Sequence, residues 1–218
     1  MRDEHIHEVM ARLRETKKAW ELPHVTQIAN NQRDPFRVLI STVLSLRTKD
    51  ATTAAASDHL YALADTPSGI LQLTPEQIEQ AIYPVGFYHV KARNILDICR
   101  ILLDTYDGVV PDEIDELVKL PGVGRKTANL VVTLGYGKPG ICVDTHVHRI
   151  SNRWGYVKTS EPDKTEMALR AKLPPMYWME YNDTLVMFGQ NLCHPTSPRC
   201  SVCPVARFCD RVGVVHSR

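Results

Sequence analysis

No stretch of this chain approaches the length of a membrane span. The N-terminal MRDEHIHEVMARLRE alternates charge with apolar residues where a signal peptide would carry an unbroken apolar core. Those absences argue against a helical anchor or a secretory leader, and make an intracellular protein with reduced thiols the expectation. A charge imbalance is lacking too: 26 Lys and Arg stand against 25 Asp and Glu, a net charge of +1. No overall field advertises a nucleic-acid surface, so any such surface must be local. There is no sustained period-two alternation, no internal repeat and nothing resembling a flexible interdomain linker. What remains is an all-α chain of 218 residues, 44% hydrophobic and 23% charged, large enough for one sizeable domain or two small ones.

The helices announce themselves by spacing and punctuation. Ile6, Val9, Met10 and Leu13 share one face of a helix over about residues 4–20. A polar connection is expected to follow. Asp34 and Pro35 read as N-cap and first residue of FRVLISTVLSL, apolar on most sides and therefore a core helix. Arg47, Thr48 and Lys49 then form a surface loop, with Asp50 capping an alanine-rich helix that ends near Ala64. Thr74, Pro75 and Gln77 form a capping box, and that helix stops at Tyr83 and Pro84. Residues 91–106 keep helical spacing up to Gly108, Pro111 starts a short helix, and residues 145–154, 163–172 and 177–192 are further helices.

The chain is organised around Leu120 to Asn129, LPGVGRKTAN, where Pro121 ends one helix and Gly122 and Gly124 turn the chain into another. The unpaired N–H groups and dipole of the second helix make a site for an anion such as a DNA phosphate. Lys126 sits in that first turn, where the helix dipole disfavours a second positive charge and so favours the nucleophilic amine. An isolated lysine there would more simply add a phosphate contact. Asp144, in VDTHVHRISNR, stands just ahead of a helix and reads as an N-cap that can also serve a nearby amine. Cys193, Cys200, Cys203 and Cys209, with six, two and five residues between them, put four thiols within seventeen residues and point to a metal centre. Cys99 and Cys142 read as ordinary buried residues. Local basic pairs are Arg47 with Lys49, Lys91 with Arg93, Arg125 with Lys126, Arg149 with Arg153, and the tail from Cys193, which has four arginines and one acid.

With LPGVGRKTAN, VDTHVHR and the cysteine spacing in this order and at these separations, nearly the whole chain resembles the endonuclease III branch of the helix-hairpin-helix DNA glycosylases. The resemblance implies a contiguous six-helix domain over residues 28–139, carrying the hairpin, and an iron-sulfur domain from residues 1–27 plus 140–218. It implies Lys126 as nucleophile, Asp144 as the carboxylate that stabilises the cationic sugar, and double-stranded DNA with a damaged base or abasic site bound in a cleft between the domains. Gly122, Val123, Gly124 and Arg125 of the hairpin and Arg199 of the basic loop would contact DNA. Arg47 would fill the gap left by an extruded nucleotide, and stands where the family has glutamine, which leaves the preference for the opposite base open. Val85 and Phe87 match positions that wedge into DNA from the other side; simple packing of a turn is an equal reading for Val85. Four cysteines can hold zinc, and His194 is a conceivable ligand, but the intervals resemble this family's [4Fe-4S] loop.

The implied activity is a bifunctional glycosylase and abasic-site lyase acting on oxidised pyrimidines, as a monomer associated with the nucleoid. Relatives that excise mismatched thymine, uracil or adenine generally lack a lysine at this position. A non-catalytic DNA-binding or redox module would not require both Lys126 and Asp144.

Overall fold

The computed structural model describes residues 1–31 and 33–218, the side chain of Asn31 excepted. The described residues form helices joined by turns, with no strand among them. The chain divides into two compact units, His24–Lys138 and a discontinuous one made of Met1–Pro23 with Pro139–Arg218.

The contiguous unit is built around α3 (Pro35–Ser45), in which every residue from Val38 to Leu44 is buried. Asp34 starts it as the sequence predicts, Oδ1 accepting from the N–H groups of Phe36 at 2.8 Å and Arg37 at 3.2 Å. The hydroxyls buried on α3 are satisfied: Thr42 donates to the Val38 carbonyl of its own helix at 2.7 Å, and Ser41 meets the Tyr61 hydroxyl at 2.6 Å. α4 (Asp50–Leu63), α6 (Pro75–Ile82) and the long α7 (Tyr88–Tyr106) complete the aliphatic core, with α5 (Pro67–Ile70) between α4 and α6. Both bonds of the capping box at α6 are present, Thr74 N to Gln77 Oε1 at 2.8 Å and Gln77 N to Thr74 Oγ1 at 3.3 Å.

Three expectations need correcting. The polar connection contains α2 (His24–Asn31), which buries Val25 and Ala29; its His, Gln and Asn residues hide a short apolar face that only packing stabilises. Asp50 begins α4 without capping it, because its carboxylate accepts from the His24 N–H at 2.9 Å. Pro111 lies in irregular chain, and the short helix α8 is Ile114–Leu117.

In the discontinuous unit, α1 (Ile6–Lys17) buries Ile6, Val9, Met10 and Leu13 among residues of α10 (Thr145–Arg153), α11 (Pro162–Lys172) and α12 (Trp178–Asn191). Each such side chain contributes about 1.5–3 kcal/mol on leaving water. Polar ties across more than 150 residues of sequence fix the register: Arg14 Nε donates to Glu180 at 3.0 Å, Lys17 to Thr184 Oγ1 at 2.9 Å, and His7 meets Tyr177 at 2.8 Å.

Candidate active site and metal centre

In the contiguous unit α8 runs into the hairpin, where the Val123 N–H donates to the Leu120 carbonyl at 3.1 Å. Gly122 has φ 75°, which requires glycine in practice. Gly124 does not use that freedom, with φ −96° and ψ 176°; the space beside it is open, so a ligand can approach the backbone. From Gly124 starts α9 (Arg125–Leu130), anchored by the buried Thr127, Ala128 and Asn129, while Arg125 and Lys126 in its first turn are half-buried. Lys126 therefore sits at the positive end of a helix that begins at an open glycine turn. The helix widens into a π-turn over Val131–Gly135, a distortion found often beside functional sites. Val123 turns its side chain into the core.

The loop 46–49 and the turn 85–87 lie side by side in this unit. Arg47 and Phe87 both have left-handed backbone, φ 54° and 61°, and the Arg47 guanidinium lies 5.6 Å from the centre of the Phe87 ring. Arg47 is exposed, and Phe87 is 61% exposed, unusual for so large an apolar side chain. Val85, expected beside Phe87 as a wedge, is 1% exposed: its side chain packs in the core and of the two only Phe87 stands out at the surface. Lys91, paired in sequence with the exposed Arg93 as a basic surface, is buried instead, and its ammonium bonds the ends of α3 and the loop.

In the discontinuous unit Asp144 is the N-cap of α10, its Oδ1 accepting from Val147 N–H at 2.8 Å. One oxygen thus serves the helix, and a carboxylate has a second. Farther along α10, Arg149 donates to the Cys193 carbonyl at 3.0 Å. Arg153, expected on a basic surface, is buried: Nη1 lies 3.2 Å from Cys193 Sγ and 2.8 Å from the His194 carbonyl, and Nη2 donates to the Pro195 carbonyl at 3.1 Å. Sequence reasoning missed this anchor for the cysteine loop. The exposed Arg199 lies on that loop, and burial together with the charges of Arg199, Arg218 and Arg149 lowers the His194 pKa.

Cys193, Cys200, Cys203 and Cys209 are near enough for their charges to be felt at one another, and burial pushes the Cys203 thiol up to about 11. Ligation would therefore displace thiol protons. Among the described residues no three Cys, His, Asp or Glu side chains are gathered as a single ion requires. Four sulfurs bonded to one zinc at about 2.3 Å would be in mutual contact. The donor set, four thiols with a buried guanidinium at the sulfur of the first, suits a group of negative overall charge.

An open glycine hairpin feeding a lysine-bearing helix, in an all-helical chain, is the arrangement of a helix-hairpin-helix repair protein. Residues 40–175 match the family described as HhH-GPD superfamily base excision DNA repair protein. The relatives narrow the class. The chain is 49% identical to the Endonuclease III of Thermotoga maritima, over 83% of this chain and 85% of that one, and 36% identical to that of Escherichia coli K12, over 93% of each. A solved structure of a trapped covalent intermediate of Endonuclease III with DNA superposes with a TM-score of 0.86, at 35% identity and 97% coverage of both chains. The chain belongs to the endonuclease III family.

Proposed function

We propose that the chain is a bifunctional DNA glycosylase and abasic-site lyase of base excision repair, acting as a monomer on duplex DNA that carries an oxidised pyrimidine or an abasic site. Lys126 in the first turn of α9, beside the open Gly124, carries this reading.

As a damaged base leaves, positive charge grows on the sugar. The Lys126 amine attacks C1′ while the glycosidic electron pair departs with the base, and the Asp144 carboxylate stabilises the cationic sugar. The nitrogen then gives up its proton, the sugar ring opens, and the resulting Schiff base acidifies the C2′ proton. Loss of that proton expels the 3′ phosphate, and hydrolysis of the imine frees Lys126. The target nucleotide must leave the stack first, at a cost of roughly a few kcal/mol that is smaller for a damaged base. Arg47 and Phe87 are suited to occupy the gap, with Gly122, Val123, Gly124, Arg125 and Arg199 on the phosphates.

Cys193, Cys200, Cys203 and Cys209 would hold a [4Fe-4S] cluster, whose part is to fix the loop that presents Arg199. Neither bond cleavage needs an electron from elsewhere. No helix among the described residues is long and apolar enough to cross a membrane.

The test is borohydride trapping on a duplex with one thymine glycol. The parent protein should give a covalent protein–DNA band, and Lys126→Gln should lower its yield on the order of a thousandfold. Base release without a band from either protein would make the enzyme monofunctional and the assignment of Lys126 wrong.

A further inference from the structure

Lys91 has no part in the chemistry above, yet it is 5% exposed and its ammonium is aimed at the end of α3 and the loop 46–49. Its ammonium donates to the Leu44 carbonyl at 2.7 Å, the Leu46 carbonyl at 2.6 Å and Thr48 Oγ1 at 3.2 Å. Three donors meet three acceptors, a full complement for a buried amine. Two of these acceptors lie at the C-terminal end of α3, where carbonyls lack helical partners and the dipole is negative.

Thr48 carries the connection across to the second loop. Its hydroxyl donates to the Leu46 carbonyl at 3.3 Å and accepts from both Lys91 and the Gly86 N–H, each at 3.2 Å. The two loops touch at Gly86, where a Cβ would stand 2.9 Å from the Arg47 carbonyl oxygen. The residues on either side of this junction, Arg47 and Phe87, hold left-handed backbone that persists only where the surroundings over-determine it.

We propose that Lys91 is a positioning residue that fastens the loop 46–49 to the turn 85–87, so that Arg47 and Phe87 enter a duplex as one rigid wedge. This rests on the reading of those loops as DNA-inserting. The amine adds nothing to the surface; it sets where two exposed side chains point. Without the amine, the Leu44 and Leu46 carbonyls and the Thr48 hydroxyl lose their common partner and each loop moves separately.

The experiment compares rates of strand cleavage on two probes, a duplex with one thymine glycol and a single-stranded oligonucleotide with one abasic site. The second requires Lys126 but no wedge. Lys91→Met keeps the apolar stem and removes the donors, and should lower the ratio of duplex to single-strand rate about tenfold. In a background of Arg47→Ala with Phe87→Ala, the same substitution should change that ratio less than twofold, because the element it acts through is gone. Thr48→Val, which leaves Lys91 in place, should reproduce part of the effect and covers the case in which Lys91→Met fails to fold. Equal losses on both probes, or a full tenfold loss in the wedge-deleted background, would overturn the proposal and leave Lys91 a helix cap. Cleavage of neither probe by the parent would instead remove the lyase reading, and the inference with it.

Discussion

The two units reach a stable interior by different routes. The contiguous one packs Val, Leu and Ile from α2, α3, α4, α6 and α7, and among its described residues the buried polar groups apart from Lys91 are small, such as Ser41, Thr42 and Ser57. The discontinuous one buries Trp154, Tyr156, Tyr181 and Phe188 together with Arg153 and Glu166. Neighbouring helices of one uninterrupted run find each other through short connections, so shape and apolar area suffice. A unit that must join residues 1–23 to the last third of the chain needs directional bonds to select one register, and the aromatic groups with polar handles supply them.

That contrast can be broken by substitution. Leu39→Ala, in the middle of α3, should cost about 3–5 kcal/mol, and amide exchange should speed up in α3 and α4 while α12 keeps its protection. If α12 loses protection equally, the units do not melt separately. Arg153→Ala removes the donors to the His194 and Pro195 carbonyls, and should cost about 1–3 kcal/mol and, for the proposed cluster, lower the iron retained per chain, with the α3 amides unaffected.

A pH comparison isolates Lys91. Burial holds its pKa at about 8, below the value of about 10.4 expected for an unfolded chain. Between these values the unfolded state binds more protons, so this residue's contribution to stability rises with pH and is lost as pH falls through 8. Urea midpoints of parent and Lys91→Met should diverge in the parent's favour from pH 7 to pH 10; a constant difference would sink the assignment.

The smallest effects belong to the caps and exposed ties. The pair Arg14 and Glu180 is partly exposed, and a double-mutant cycle should find less than about 1 kcal/mol between them. Asp34→Asn and Asp144→Asn should each shift stability by only about a few tenths of a kcal/mol, since Asn caps as well as Asp. Lyase activity should fall with the second alone.

Much of the fold was legible because its signals are local. The N-cap at Asp34, the capping box at Thr74 and the periodic face from Ile6 to Leu13 each specify a helix without reference to the remaining chain. Elements stabilised by distant partners were not: α2 has too few apolar residues to declare itself, and the Asp50 carboxylate leaves its own helix uncapped to accept from the first N–H of α2. The site divides similarly. The turn at PGVGRK and the N-cap at Asp144 are backbone features that the sequence encodes directly. Lys91 was misread as surface, although it falls in register with Ile95, Ile98 and Leu102 on the buried face of α7, a spacing that marks it as interior. Arg153 left no comparable sign, since its partners are carbonyls of a loop forty residues away.

The bond from Val147 N–H to Asp144 has a consequence for timing. The carboxylate acquires its orientation when the first turn of α10 forms, before any ligand arrives. Rotating it would break that cap bond, at a cost of about 0.5–2 kcal/mol. In the role proposed for Asp144, a carboxylate fixed in this way has little reorganisation to perform as the sugar becomes cationic, whereas an untethered aspartate would have to be ordered in every turnover.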